Sequence, residues 1–146
     1  SGRFLFVLDD GRGDLLARSC DLGLVALDST WAQLRIGTGW GATVELAEAA
    51  GRIAELAHEF VVCRGRGPGA AWHVSELAEA LAVPRASDPG LPDPAEPLPF
   101  GAVPGGRHVE VSETGLDQQV IEDLTAAVDH VIVTPWRGVL IPEESR

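Results

Sequence analysis

The 146-residue chain contains no methionine and no tyrosine, and because all eleven of its basic residues are arginine it contains no lysine either. Without lysine there is no Schiff-base amine and no phosphate-loop lysine, and without tyrosine there is no phenolic acid or tyrosyl radical. Cysteine is scarce: Cys20 and Cys63 stand far apart and form no Cys-x-x-Cys pattern. Their spacing supports neither a zinc site nor a redox pair, two buried thiols are the expected reading, and a cluster held by four thiolates cannot be completed by this chain alone. Positive charge is in deficit, with 11 basic against 22 acidic residues and a net charge of −11. That balance opposes the electrostatics of binding a phosphate backbone, so nucleic acid is not an expected partner. No apolar run approaches the roughly 18–20 residues needed to span a bilayer. The opening Ser1-Gly2-Arg3-Phe4 has no signal-peptide layout, so no membrane partner is expected and the expected location is the cytoplasm.

Hydrophobic residues make up 45% of the chain, enough for one ordinary domain or two small ones. The continuous run Phe4-Leu5-Phe6-Val7-Leu8 suits a central strand covered on both faces, closed by the turn Asp10-Gly11-Arg12-Gly13. Runs from Leu22 to Leu27 and from Trp31 to Ile36 flank Asp28-Ser29-Thr30 and predict a hairpin. After Gly37-Thr38-Gly39-Trp40-Gly41, apolar residues recur at Leu46, Ala49, Ala50, Ile53, Leu56, Ala57, Phe60 and Val61, which is helical spacing. Glu48 and Arg52 are placed for an i,i+4 pair, and Gly65 to Gly69 end the helix. A shorter helix is expected from Ser75 through Leu77 and Leu81 to the stop at Pro84.

Six prolines between Pro84 and Pro99 predict extended, weakly packed chain. Three regions are therefore expected: an α/β segment over 1–83, a linker over 84–97 and a small β-α-β-β unit over 98–146. In the last, strands are expected at 107–112, 131–133 and 139–141. A helix from about Gly115 to Val128 carries Leu116, Val120, Leu124 and Val128 on one face, with Thr114 and Asp117 spaced as a capping box. The fold class is α+β, with mixed sheets and packed helices. So small a core expects cover, and self-association of the chain as a homodimer through this unit is one way to supply it.

Gly37, Gly39 and Gly41 lie between a predicted strand and a predicted helix, where backbone amides could meet a carboxylate or phosphate. The spacing is not that of a dinucleotide fold, so a structural turn and contact with a cofactor held elsewhere both stay open. Asp9, Asp10 and Asp14 lack calcium-loop spacing and read as a solvated turn. His58, His73, His108 and His130 show no metal-ligand spacing and read as surface or packing residues. No Gly-x-Ser-x-Gly context supports a hydrolase triad. Trp31, Trp40, Trp72 and Trp136 are apolar anchors first. Neither a catalytic residue nor a metal ligand is assigned.

The order Arg3-Phe4-Leu5-Phe6-Val7-Leu8-Asp9-Asp10-Gly11-Arg12-Gly13-Asp14, Asp21-Leu22-Gly23-Leu24-Val25-Ala26-Leu27, Leu34-Arg35-Ile36-Gly37 resembles the middle of the precorrin-3B synthase family, relatives of the nitrite and sulfite reductases. Ala71-Trp72-His73-Val74-Ser75-Glu76-Leu77 and Thr134-Pro135-Trp136-Arg137-Gly138-Val139-Leu140-Ile141-Pro142 are similar to the same family. The resemblance implies that 1–83 is a haem-domain segment, that 98–146 is a ferredoxin-like half-domain, and that the chain is an internal piece of a longer protein.

For that parent the resemblance implies O₂-dependent hydroxylation and lactone formation on precorrin-3A in cobalamin biosynthesis. It also implies a [4Fe-4S] cluster and a sirohaem or other iron centre on residues outside this chain, which itself would bind no cofactor. The partners would be the tetrapyrrole substrate and the remaining domains of the polypeptide. Arg3 would match the first basic position of a first-strand motif that meets the bound anion or sirohaem, Arg35 and Arg137 would meet tetrapyrrole carboxylates, and Gly37, Gly39 and Gly41 would match a glycine-rich loop near the cofactor. Leu5 replaces the second basic residue of the reductases, which favours a large organic acid over sulfite or nitrite. Two alternatives are a sirohaem sulfite or nitrite reductase fragment and a non-catalytic interaction module.

Overall fold

A computed structural model describes residues 4–143, apart from the side chains of residues 125–127, and the chain divides into two units, residues 1–95 and 96–146. Each carries a four-stranded sheet. Among the described residues no helix is long and apolar enough to cross a membrane.

In the first unit, strands β1 (Phe6–Asp9), β2 (Leu22–Ala26), β3 (Trp31–Ile36) and β4 (Gly39–Glu45) lie in that order, followed by helix α1 (Leu46–Cys63). The expected hairpin is present: β2 and β3 pair antiparallel, with Leu22 opposite Ile36 and Ala26 opposite Ala32. Asp28 sets its turn, the Oδ1 accepting from the Thr30 and Trp31 amides at 2.7 and 2.8 Å. Side chains alternate across the sheet as the two-residue period requires. Leu22, Leu24, Leu34, Ile36 and Val44 join Ile53, Leu56, Ala57 and Phe60 of α1 in the core, which Ala71, Val74 and Leu81 complete. Of the periodic residues read from the sequence, α1 buries Ala49, Leu56 and Phe60 and half-buries Ile53 and Ala57, while Ala50 and Val61 are exposed.

Several expectations change. Strand β1 is an edge strand parallel to β2, not a covered central one, and Leu5, Phe6 and Leu8 are exposed. Gly37-Thr38 is the turn of a second hairpin, in which Ile36 pairs with Gly39, while Gly39 and Gly41 belong to β4. Gly37, with φ of 58°, takes the first central position of a tight turn where a left-handed residue suits the strand twist. The glycine-rich run therefore does not lead into a helix N-terminus. Arg52 pairs with Glu55, not with Glu48. The helix expected from Ser75 reduces to one 3₁₀ turn, Val74–Glu76, because the next residue, Leu77, is already extended.

The proline-rich stretch is not loose as far as Ala95. Buried Gln33 donates to the Ala86 carbonyl at 2.8 Å and accepts from the Asp88 amide at 2.8 Å, Arg85 bridges Trp40, and the Ala95 amide reaches the Gly13 carbonyl. Residues 85–95 thus run against the sheet and satisfy polar groups that burial would otherwise leave unpaired.

The second unit contains β5 (Gly101–Val103), β6 (Gly106–Glu110), α2 (Gln118–Ala127), β7 (Ile132–Thr134) and β8 (Gly138–Pro142), in the antiparallel order β5-β6-β8-β7. β5 was not expected, although Pro104-Gly105, with Gly105 at φ of 83°, is the turn chemistry that joins it to β6. Helix α2 starts at Gln118, capped by Asp117 through the Val120 amide at 2.8 Å, so the cap is Asp117 itself and not a Thr114 box. Strand β8 lies between β6 and β7, so β6-α2-β7 is a split β-α-β arrangement. His108 is the best-buried side chain here, stacked on Phe100 with ring centroids 4.7 Å apart and bonded to Thr134 Oγ1 at 2.9 Å. Gly138 faces that imidazole so closely that a Cβ would collide with it.

Candidate functional site

The end of the first sheet where β2 begins and β3 finishes opens into a cleft of about 500 Å³, lined among others by Leu5, Cys20, Asp21, Arg35, Gly37 and His73. Local backbone bonding builds its wall. The Asp21 amide donates to the Leu5 carbonyl and the Gly37 amide to the Asp21 carbonyl, each at 2.9 Å. Asp21 thereby joins the start of β2 both to the chain entering β1 and to the turn leaving β3.

The Asp21 side chain is buried, 5% exposed. Its Oδ2 accepts from the Leu5 amide at 2.8 Å and its Oδ1 from the Val74 amide at 2.9 Å. His73 Nδ1 lies 3.2 Å from both carboxylate oxygens. A buried carboxylate is costly unless hydrogen-bonded, and these contacts satisfy Asp21 fully. Arg35 projects from the face of β3 opposite α1; its Nη1 donates to the Leu16 carbonyl at 2.9 Å, leaving most of the guanidinium's donors for a ligand. Cys20 is half-buried with Sγ 3.8 Å from the Gly37 carbonyl. Burial pushes its thiol up, Arg35 pulls it down and Asp21 raises it, with burial prevailing.

Of the residues assigned from the sequence, Arg35 and Gly37 come together in this cleft. Gly39 and Gly41 sit on β4, where Gly41 is buried and accepts from Gln33 through its carbonyl at 3.2 Å. Arg137 belongs to the second unit, in the turn between β7 and β8, with φ of 57° and Glu113 3.6 Å away. Arg3 lies outside the described residues. The sequence reading missed Asp21 and His73 as a pair, for they are 52 residues apart and neither lies in a recognisable motif. Asp9, taken as part of a solvated turn, is instead buried: it accepts from the Gly11, Gly13 and Leu15 amides at 2.9, 3.0 and 2.8 Å and shapes the loop after β1.

The residues present do not fit an iron–sulfur cluster. Cys20 and Cys63 are the only thiols, Cys63 closes α1 on an exposed turn, and among the described residues no three histidine, cysteine or carboxylate side chains gather as a metal site. A carboxylate-bearing ligand fits better, since Arg35 presents a cation and the Leu5 side chain an apolar surface in the same cleft. No protein-family model, curated protein or solved structure matches the chain.

Proposed function

We propose that this chain is part of a precorrin-3B synthase-like oxidoreductase and that its first unit forms one wall of a cleft for a tetrapyrrole acid. The observation that carries the reading is the convergence of Arg35 and Gly37 on one cleft beside Leu5. Arg35 binds a substrate carboxylate through its planar donor fork, Leu5 packs on the macrocycle, and the Gly37 turn, having no side chain, allows close approach. Apolar Leu5 at this mouth favours a large organic acid over a small oxyanion. The split β-α-β order of the second unit agrees with a ferredoxin-like half-domain. No step is assigned to a cluster or haem, because this chain lacks the ligands to hold a cluster; hydroxylation would require an iron centre on other residues.

Binding tests the reading without the complete enzyme. Uroporphyrin III, a porphyrin octacarboxylate, should quench the tryptophan fluorescence saturably, and Arg35→Ala should weaken binding about tenfold through loss of a charge-assisted pair. Absence of saturable binding, or equal affinity in the variant, overturns the assignment.

A second reading, a protein-interaction module, is favoured by the exposed apolar residues Phe6 and Leu8 of β1, a strand at the edge of its sheet.

A further inference from the structure

His73 does not need to be where it is for Asp21 to be satisfied. Two backbone amides already bond the two oxygens of that carboxylate, one each, at 2.8 and 2.9 Å. The imidazole is an additional partner, 3.2 Å from both oxygens and only on its Nδ1 side. An ionised carboxylate accepts and does not donate, so in the neutral ring the proton of this contact belongs to Nδ1. Nε2 is then the nitrogen with the lone pair. The ring is 35% exposed and lines the same cleft as Arg35. A buried carboxylate fixing the tautomer of a partly exposed histidine is the arrangement by which imidazoles are set up as bases.

Arg35 and His73 offer complementary chemistry to a ligand. The guanidinium only donates, and the imidazole nitrogen not facing Asp21 accepts. A ligand satisfying both carries a carboxylate together with an O–H or N–H group.

We propose that Asp21 and His73 form a proton-accepting pair in this cleft, specific for a hydroxylated carboxylate whose acid group is held by Arg35. His73 Nε2 takes the hydrogen bond of the ligand hydroxyl. When the proton transfers, the ligand O–H bond breaks, its electron pair stays on oxygen, and the new N–H bond leaves an imidazolium facing the Asp21 carboxylate. The inference rests on the carboxylate-binding reading of the cleft through Arg35, and it adds the base and the hydroxyl.

Two dicarboxylates of equal charge separate the inference from the reading beneath it: L-tartrate, with hydroxyls beside its carboxylates, and succinate, without them. Nitrogen-15 NMR of the labelled chain should show His73 as the Nδ1–H tautomer, and tartrate should shift its Nε2 resonance. Tartrate should bind about tenfold tighter than succinate, and His73→Phe, which removes the acceptor, should abolish that preference. Because the amides hold Asp21 without the ring, the same variant should keep its folded spectrum. An Nε2–H tautomer in the free protein, or equal affinity for the two anions in the unsubstituted chain, overturns the proton-accepting pair and leaves the carboxylate site standing. Binding of neither anion overturns both.

Discussion

Cys20 illustrates how one side chain reports on the electrostatics of the cleft. Burial raises its thiol, the nearby Arg35 guanidinium opposes that rise, and Asp21 reinforces it. The thiolate is the reacting form, so a raised thiol reacts slowly at a given pH and gains reactivity only as pH climbs. Alkylation by iodoacetamide at mildly alkaline pH, followed by peptide mass spectrometry, should therefore label exposed Cys63 first and Cys20 later. Arg35→Ala removes the opposing charge and should slow Cys20 further; Asp21→Asn should quicken it. The opposite order for the two substitutions would mean that the Arg35 charge does not reach the thiol. Sequence places only Asp21 beside the thiol; the Arg35 guanidinium and the burial come to Cys20 when the start of β2 is brought beside the end of β3.

At the scale of elements, what was legible in the sequence was what local pattern decides. The hairpin of β2 and β3 follows from β-rich runs around Asp28-Ser29-Thr30, and α1 follows from apolar spacing over four turns. Elements whose identity depends on distant partners were not legible. The run before Asp9 reads as a covered strand, yet it lies at a sheet edge because nothing in its own residues states which side is paired. The glycines at 39 and 41 read as loop, yet β4 takes them because the Gly37 turn folds them back onto β3, where Gly41 lies against Leu34 and Ile36. His73 and Asp21 were each visible as residues but not as a pair.

Helix α1 also offers a test of how much of its stability comes from propensity and how much from packing. Gly51 is exposed, and a Cβ added there meets no atom within 4 Å. Gly51→Ala should stabilise the first unit by about 0.5–1 kcal/mol through backbone entropy alone. Leu56 is in the core, and Leu56→Ala should cost about 2–5 kcal/mol through lost burial and the cavity left behind. Urea midpoints measured for the two variants check both signs, and a destabilising Gly51→Ala would show that the exposed face of α1 is covered.

Across the whole molecule, the distribution of buried apolar side chains is uneven. Among the described residues, the fully buried hydrophobics fall in the first unit except for Val139, while in the second unit a histidine, His108, is the best-buried side chain. The α2 stripe is only half covered: Leu116, Leu124, Val128 and Val131 edge a hollow of about 240 Å³, with Ile121 exposed at its rim. Stability tracks buried apolar contact, so the units should open at different free energies. Hydrogen exchange followed by mass spectrometry should show the amides of 118–127 exchanging well before those of 22–36. The stripe is also where self-association would act, because a second copy could exclude water from it and bring ordering without new chemistry. Protection of 116–131 should then rise with protein concentration while that of 22–36 stays constant. Concentration-independent exchange together with a monomeric mass in sedimentation would show that the half-covered stripe of α2 is tolerated in the isolated chain.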